Sequence, residues 1–186
     1  MDIQNWPHPA EVGTIHEVEG NEETSIQVYS DGSKQEQGVG SGVVIFKGIE
    51  MIAKVEFKLD NRCCNNQAEK LAIIKALEKL EVLSRQSINA IWATIFTDSR
   101  INLDSFQNYK NHGNLVEEFR KKIASPEGSG CQIRFWWVKA HTGIHCNELA
   151  DKVAKEAAHS TGTYYEYTRI PESYLWHIAA EEAKQK

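Results

Sequence analysis

The sequence predicts an α/β protein in which helices flank a five-stranded mixed sheet, with the element order βββαβααβα. The first observation is that residues 26–59 hold three short apolar segments separated by glycine-containing turns, which is typical of an antiparallel meander. The second is a change of apolar period, because helical spacing dominates from residue 65 onward and is interrupted by two further short apolar runs. Strands joined partly by turns and partly by helices favour a mixed sheet with helices packed on it.

The strands are expected at residues 26–29, 41–46, 51–59, 90–96 and 131–138. In the first strand, apolar and polar residues alternate and lead into Asp31-Gly32-Ser33, which we interpret as a turn. Three spaced glycines, Gly38, Gly40 and Gly42, punctuate the second strand, and Lys47-Gly48 turns the chain into the third. The fourth strand is a short apolar run, as expected of a buried central strand.

The helices are expected at residues 65–83, 99–109, 114–124 and 145–159, with a further helix at residues 171–183. Asn65 or Asn66 caps the first helix, and Ser99 opens the second. Pro171 lies near the first turn of the last helix, where the missing N–H of proline is tolerated. The Gly- and Ser-containing stretch at residues 125–130 is interpreted as a loop.

The chain divides into an acidic N-terminal arm (residues 1–24), a domain (25–160) and a C-terminal tail (161–186). Residues 1–25 contain six acids and neither Lys nor Arg, whereas residues 26–160 contain 16 acids and 18 bases. A mildly basic domain around an acidic pocket suits a metal-dependent enzyme that acts on a polyanion.

Composition and termini argue against a membrane protein or a secreted one. No stretch of 18 apolar residues is present, and the first residues lack a basic segment followed by an apolar run. The four cysteines form no CxxC pair and favour a reduced, intracellular chain: Cys63, Cys64, Cys131 and Cys146. No basic targeting run distinguishes a nuclear from a cytoplasmic location, and we expect the isolated domain to be a monomer.

Four carboxylates stand out against the apolar pattern: Asp31, Glu69, Asp98 and Asp151. Glu69 shares a helical row with four apolar residues, so it should lie at the edge of the core. Asp98 directly follows an apolar strand, and ligand sites cluster at the carboxyl ends of such strands. Asp151 lies beside the apolar stripe of the helix at residues 145–159.

Each of these acids also has an ordinary structural explanation when it is taken alone. Asp31 suits a turn, Asp98 a helix cap, Glu69 the start of a helix, and Asp151 the boundary of an amphipathic one. Together, however, they would repel one another unless a cation joined them. Mg²⁺ prefers oxygen ligands, and two such ions about 4 Å apart catalyse phosphodiester cleavage.

A zinc site is the alternative metal hypothesis. His141, His145 and Cys146 lie close together in the sequence and, with the Cys63-Cys64 pair, offer nitrogen and sulfur ligands. Their spacing matches no closed structural zinc site, so oxygen ligation of magnesium is favoured.

Four motifs together resemble the type 1 ribonuclease H family: YSDGS, RCCNNQAE, FTDS and WVKAHTGI followed by CNELAD. They occur in the family's order and cover residues 25–160. NNQAEKLAIIKALEKLE and TDSRINLDS are similar in particular to the domain attached to reverse transcriptases of LINE-type (non-LTR) retrotransposons, as is the tail motif RIPESYL. The resemblance implies the ribonuclease H-like fold and cleavage of the RNA strand of RNA/DNA hybrids, with two Mg²⁺ ions for which Mn²⁺ may substitute.

The resemblance also implies a role for each acid. Asp31 would bridge both ions, Glu69 and Asp98 would complete one metal site, and Asp151 would complete the other. His141 matches a loop histidine that assists turnover by moving a proton or helping the product leave.

Substrate contacts are implied at a further set of positions: Gly32, Ser33, Arg62, Cys64, Asn65, Asn66 and Ser99. Arg62 and Cys64 fall where relatives grip a DNA phosphate. Asn65 and Asn66 fall where relatives contact the two strands in the minor groove, where the 2′-hydroxyl distinguishes RNA from DNA.

Two departures from the family pattern bear on substrate affinity. Cys64 stands where Thr is common, so a hydroxyl donor to phosphate is lost. The short stretch between Asp98 and Leu115 leaves no room for the basic helix and loop with which bacterial relatives hold the hybrid. We therefore expect the isolated domain to bind weakly and to depend on an attached polymerase for grip.

Three other functions share parts of this pattern with a retroelement ribonuclease H. A free-standing cellular ribonuclease H fits the acids but not the acidic arm and tail. An inactive tethering domain has no need of a complete set of repelling carboxylates. A transposase or integrase of the same fold fits the WVKAHTGI loop and the spacing of the four acids poorly.

Overall fold

The computed structural model describes residues 25–124, 131–139, 143–162 and 164–184. Its five strands form one sheet in the order β3-β2-β1-β4-β5. The strands are β1 (Ser25–Gln35), β2 (Gly38–Lys47), β3 (Glu50–Leu59), β4 (Ile91–Thr97) and β5 (Cys131–Trp137). The helices are α1 (Asn65–Gln86), α2 (Arg100–Gln107), α3 (Asn114–Ala124), α4 (His145–His159) and α5 (Glu172–Lys184).

The predicted mixed sheet is confirmed. β1, β2 and β3 pair antiparallel as a meander. β4 adds to β1 in parallel, and β5 adds to β4 in parallel. The larger core cluster joins residues of α1, α2 and α3 to one face of the sheet, and a smaller cluster joins α4 to the other.

The turn predicted at Asp31-Gly32-Ser33 is wrong, because β1 continues through these residues and the chain turns at residues 36–37. Asp31 pairs with Gly42 of β2 inside the ladder. Gly32 is needed for a different reason: a Cβ there would lie 2.4 Å from the backbone nitrogen of Glu69. The glycine therefore lets the start of α1 approach β1 closely.

The second strand starts earlier than the predicted residues 41–46, since the spaced glycines lie inside β2. A Cβ on Gly40 would meet the carbonyl oxygen of Ala154 at 2.4 Å, and one on Gly42 would meet that of Ala150 at the same distance. These glycines form a flat surface on which α4 packs.

Cys64, rather than Asn65 or Asn66, is the cap residue that precedes α1. Its backbone N–H donates to Oε1 of Gln67 at 3.0 Å, which satisfies one group at the helix start. The predicted asparagine cap is wrong because Asn65 is already helical, and its side chain donates to Glu69 instead.

The second helix also ends earlier than predicted, at Gln107 instead of residue 109. Asn108 leaves the helical conformation, and its Oδ1 accepts the backbone N–H of Lys110 at 3.1 Å. An asparagine that bonds the backbone two residues ahead favours a turn over a further helical residue.

Residues 164–170, which we call the C-terminal strap, return to the meander edge of the domain. The N–H of Asp60 donates to the carbonyl of Tyr167 at 2.9 Å, and the N–H of Glu166 donates to the carbonyl of Lys58 at 2.8 Å. The strap thus continues the hydrogen bonding of β3.

The strap also covers the segment that leads into α1. Nε2 of Gln67 donates to the carbonyl of Arg169 at 3.0 Å. Cys63 is fully buried, and its Sγ lies near the carbonyls of Tyr167 and Arg169. All four cysteines are free.

The predicted loop at residues 125–130 and His141 lie outside the described residues. Among the helices that are described, none has the length and apolar character required to cross a bilayer.

Candidate active site at the carboxyl edge of the parallel strands

Three of the four predicted acids meet at one edge of the sheet. Tyr29 of β1 pairs with Phe96 of β4 in parallel, so Asp31 and Asp98, each two residues further on, reach the same edge. Glu69 joins them from the start of α1. One carboxylate oxygen from each lies within 4.8 Å of the others. This arrangement places three hard anionic ligands around one point, as a divalent cation requires.

Glu69 lies where the helical row predicts. Ile73, Ala76 and Leu80 of the same row are fully buried against the sheet. Glu69 itself is half-buried at the end of this row, and its two oxygens each accept an amide hydrogen bond at 2.6 Å, from Asn65 and Asn102. The carboxylate is therefore held in one orientation.

Burial and mutual repulsion make the cluster unfavourable while it lacks a cation. Asp31 is 8% exposed, and its Oδ1 accepts the Gly32 N–H at 2.7 Å. Burial first, and then the charge of Asp98, raise the pKa of Asp31 to about 8. Burial also raises the pKa of Glu69, although a hydrogen bond with Ser99 opposes this. A divalent cation would remove the repulsion, so the donor set fits the metal that the sequence predicts.

Asp151 is not part of the group of three. Its Oδ2 accepts a hydrogen bond from Lys155 at 2.6 Å, one turn along α4. Asp151 therefore has a basic partner on its own helix, which offsets part of its charge. Its charge is still one of the causes that raise the pKa of Asp31, so it belongs to the surroundings of the cluster.

The predicted substrate-contact residues divide into an exposed group and a buried group. Asn65 and Asn66 are exposed at the start of α1, next to Glu69. Ser33 and Ser99 are buried, at 5% and 7% exposure. Gly32 is buried inside β1, where it contacts α1. The exposed asparagines are accessible to solvent. Of the buried residues, Gly32 donates its N–H to Asp31 and Ser99 hydrogen bonds with Glu69, whereas the Ser33 hydroxyl accepts from Gln35.

Arg62 is exposed, but Asp60 holds its guanidinium. Nε and Nη2 of Arg62 donate to the two carboxylate oxygens at 2.9 and 2.8 Å. These hydrogen bonds lower the pKa of Asp60 to about 2. Cys64, the other predicted phosphate contact, is partly buried two residues further on.

Two residues of the site escaped prediction from the sequence. Nε1 of Trp137 donates to the backbone carbonyl of Asp98 at 2.9 Å, which ties the end of β5 to that acid. Asn102 has no exposed surface and donates to Glu69. The sequence does contain one indication of this role, since Asn102 lies beside Leu103 on the apolar side of α2. A buried amide requires a hydrogen-bond partner, so an asparagine at such a position indicates a polar contact.

A mixed sheet with an acidic cluster at the carboxyl edge of its parallel strands defines a site for metal-dependent chemistry, and known proteins of this kind match the chain. The family model described as RNase H matches residues 23–159. The ribonuclease H of Neorickettsia sennetsu is 29% identical over 153 residues, which cover 72% of this chain and 92% of the relative. That of Campylobacter jejuni (strain 81-176) is 30% identical over 145 residues, with coverage of 72% and 90%.

The chain belongs to the RNase H family, and this membership assigns ribonuclease H activity to it. The N-terminal RNase H domain of Rv2228c from Mycobacterium tuberculosis shares the fold, with a TM-score of 0.57 at 20% identity over 72% of this chain and 98% of that domain. RNase H1 of Halobacterium salinarum superposes with a TM-score of 0.53 at 23% identity, with coverage of 72% and 96%. The predicted ribonuclease H-like fold is therefore confirmed.

Proposed function

We propose that this chain hydrolyses the RNA strand of RNA/DNA hybrids by two-metal-ion catalysis, with Mg²⁺ as the cofactor and Mn²⁺ as a substitute. The observation that supports this most is the convergence of Asp31, Glu69 and Asp98 within 4.8 Å. Such a cluster is unfavourable alone and becomes favourable around cations. Membership of the RNase H family supports the same substrate class.

Asp31, Glu69 and Asp98 would hold the ions, and Asp151 would complete the second metal site once Lys155 releases it. Ions held there would supply activation of the attacking water and stabilisation of the leaving oxygen. The chain itself supplies orientation, because Trp137 bonds the backbone carbonyl of Asp98 and two amides hold Glu69. His141 would assist turnover by moving a proton or helping the product leave.

We assign recognition of the hybrid to the exposed start of α1. Asn65 and Asn66 would contact the minor groove, and their exposure at the start of the helix that carries Glu69 supports this assignment. Arg62 and Cys64 would contact a DNA phosphate. Arg62 must share its donors with Asp60 or release it for this contact.

We further propose that the chain is the RNase H domain of a LINE-type retroelement polyprotein, with a reverse transcriptase as partner. The tail motif RIPESYL and the motifs of α1 and α2 support this assignment. The six residues between Gln107 and Asn114 leave no room for an extra basic helix. Sequencing the transcript upstream of this chain is the test, and it should reveal a reverse transcriptase in the same reading frame.

A free-standing ribonuclease H is the second candidate. The curated relatives from Neorickettsia and Campylobacter are covered over 92% and 90% of their own length, so a single domain of this kind is a complete protein there. A stop codon directly upstream of the chain in the transcript would favour this candidate.

The activity test incubates the purified chain with an RNA/DNA hybrid, duplex RNA and duplex DNA, with and without Mg²⁺. Only the RNA of the hybrid should be cut, and only with the metal. Asp98→Asn should abolish cleavage, leave the circular dichroism spectrum unchanged and raise the metal-free Tm, because it removes a repelling charge.

Asp104→Asn is the matched control, since Asp104 is exposed on α2 and outside the cluster. This variant should cleave at the wild-type rate. Wild-type cleavage by Asp98→Asn would contradict the site assignment.

A further inference from the structure

Asn102 is a polar residue in a place that suits an apolar one. It lies on α2 beside Leu103 and in the same helix as Phe106, and all three are buried. Its exposed fraction is zero. A buried amide destabilises a core unless its donors and acceptor are paired, so its contacts must explain its presence.

The amide of Asn102 is paired on one side and unpaired on the other. Nδ2 donates to Oε2 of Glu69 at 2.6 Å and to Oγ of Ser99 at 2.7 Å, which uses both of its hydrogens. Oδ1 has no hydrogen-bond partner among the described residues. Turning the amide over would place Oδ1 against the Glu69 carboxylate, acceptor to acceptor. Glu69 therefore sets the orientation of the amide, and the unpaired carbonyl is the consequence.

Asn102 differs from the other partner of Glu69 in where it comes from. Asn65 lies on α1 four residues before Glu69, so it moves with the helix that carries the carboxylate. Asn102 lies on α2, four residues after Asp98 and across from α1. Its hydrogen bond joins the element that carries Glu69 to the segment that carries Asp98.

We propose that Asn102 is a positioning residue that fixes the Glu69 carboxylate at the distance from Asp98 required for cation binding. This inference rests on the proposed function, because it assumes that these acids bind the metal. Asn102 is fully buried and donates to Glu69 and Ser99, so it would act through the Glu69 carboxylate and not on the ion or the substrate directly. Polar groups that orient metal ligands contribute substantially to metal affinity, which gives the proposal a measurable effect.

A role in packing alone makes different predictions from a role in positioning. Leucine has the branched shape of asparagine and removes the unpaired carbonyl, but it is the larger side chain and leaves Oε2 of Glu69 without this donor. Because these effects on stability oppose one another, Asn102→Leu should lose less stability than a truncation to alanine. It cannot donate to Glu69. Asn102→Ala leaves a polar space in which a water can donate to Glu69, at the cost of lost packing.

The experiment measures Mn²⁺ binding to the metal-free chain by isothermal titration calorimetry, and Tm in EDTA. Asn102→Leu should raise the Kd for Mn²⁺ about 10- to 100-fold with only a small change in Tm. Asn102→Ala should raise the Kd less but lower Tm more. The positioning role is supported if Asn102→Leu loses more Mn²⁺ affinity while Asn102→Ala loses more Tm.

Asn111→Ala is the matched control. Its Nδ2 donates to Ser105 at 2.8 Å, and its Oδ1 accepts the Gly113 N–H at 3.0 Å, both away from the acids. This variant should lower Tm and keep the wild-type Kd.

Two outcomes would overturn the inference. The inference is wrong if Asn102→Leu binds Mn²⁺ with the affinity of the wild type. It is also wrong if Asn102→Ala loses more affinity and more Tm than Asn102→Leu does. Asp98→Asn separates this failure from a failure of the proposed function. If Asp98→Asn abolishes binding while Asn102→Leu does not, the metal site stands and the positioning role falls; if the wild type binds no Mn²⁺, both fall.

Discussion

The ionised form of Asp31 is unfavourable in the folded protein unless a cation is bound beside it. The residue is buried beside Asp98, so the proton is held far more tightly than in water, with the pKa at about 8. At neutral pH, the metal-free site therefore favours a protonated Asp31. A cation reverses this preference because it stabilises the ionised form.

Metal-free stability should consequently fall as the pH rises. The pKa of Asp31 is 3.8 ordinarily and about 8 in the fold, so its contribution is fully present below pH 3.8 and is lost as the pH rises through 8. Between pH 5 and 8, we expect a loss of at least about 1 kcal/mol, or about 2–4 °C in Tm for a protein of this size. Thermal unfolding in EDTA measures this.

Asp31→Asn is the variant that checks the cause of this pH dependence. It cannot ionise, so its Tm should change less between pH 5 and 8 than that of the wild type. Saturating Mg²⁺ should likewise reduce the change in the wild type. Parallel curves for the two proteins in EDTA would show that another group is responsible.

At the scale of elements, glycines determine how closely helices approach the sheet. Gly32 lets α1 contact β1, and Gly40 and Gly42 let α4 lie on β2. A side chain at any of these positions would meet backbone atoms, which cannot move independently of the helix. Gly32 therefore controls the separation of the elements that carry Asp31 and Glu69, whereas Gly40 and Gly42 control how closely the helix that carries Asp151 lies on β2.

Gly32→Ala tests this control. The new Cβ would lie 2.4 Å from the backbone nitrogen of Glu69, so α1 must shift away from β1. We expect a loss of about 1–3 kcal/mol in the free energy of unfolding, together with slower hybrid cleavage, because Glu69 moves away from Asp31. Urea denaturation and a cleavage assay measure the two effects.

Gly162→Ala serves as the control for this prediction, since a Cβ at that position meets nothing within 4 Å. It should leave both stability and cleavage unchanged. A Gly32→Ala variant with wild-type stability would contradict the close contact of α1 with β1.

At the scale of the whole molecule, the C-terminal strap leads us to propose that the folded domain extends beyond residue 160, the boundary predicted from the sequence. The strap is bonded to β3 and to the start of α1 through three hydrogen bonds of 2.8 to 3.0 Å. Lys75 of α1 adds an ion pair with Glu166. The strap thus holds the segment between β3 and α1 on which Arg62 and Cys64 lie.

Two truncations test this boundary. A chain that ends at residue 160 should lose about 2–4 kcal/mol, since each hydrogen bond contributes about 1 kcal/mol and Cys63 becomes exposed. A chain that ends at residue 171 keeps the strap and should unfold like the full chain. Equal urea midpoints for the two truncations would place the boundary at residue 160 after all.

Hybrid affinity should depend strongly on salt. Six residues connect α2 to α3, so the domain lacks a basic extension there, and the full chain carries a net charge of −5. We expect weak binding at 50 mM salt that falls at least about tenfold by 200 mM, because phosphate contacts release counterions. Fluorescence anisotropy with a labelled hybrid and catalytically inactive Asp98→Asn measures this, and a salt-independent Kd would contradict the expectation.

The order of elements and three acids of the cluster could be predicted from the sequence because both depend on local pattern. Apolar periodicity identifies strands and helices, and the acids stand at strand ends or on a helical row. The pairing of Asp151 with Lys155 was also within reach, since residues four apart on a helix are neighbours.

Only the tertiary structure decided the role of Gly32, the amide of Asn102 and the return of the strap to β3. Each depends on contact between segments that are distant along the chain: Glu69 lies 37 residues after Gly32 and 33 residues before Asn102. The sequence by itself therefore determined which groups are candidates for the chemistry. The packing of helix on sheet decided how closely those groups approach, because that distance depends on contacts between residues that are far apart in the sequence.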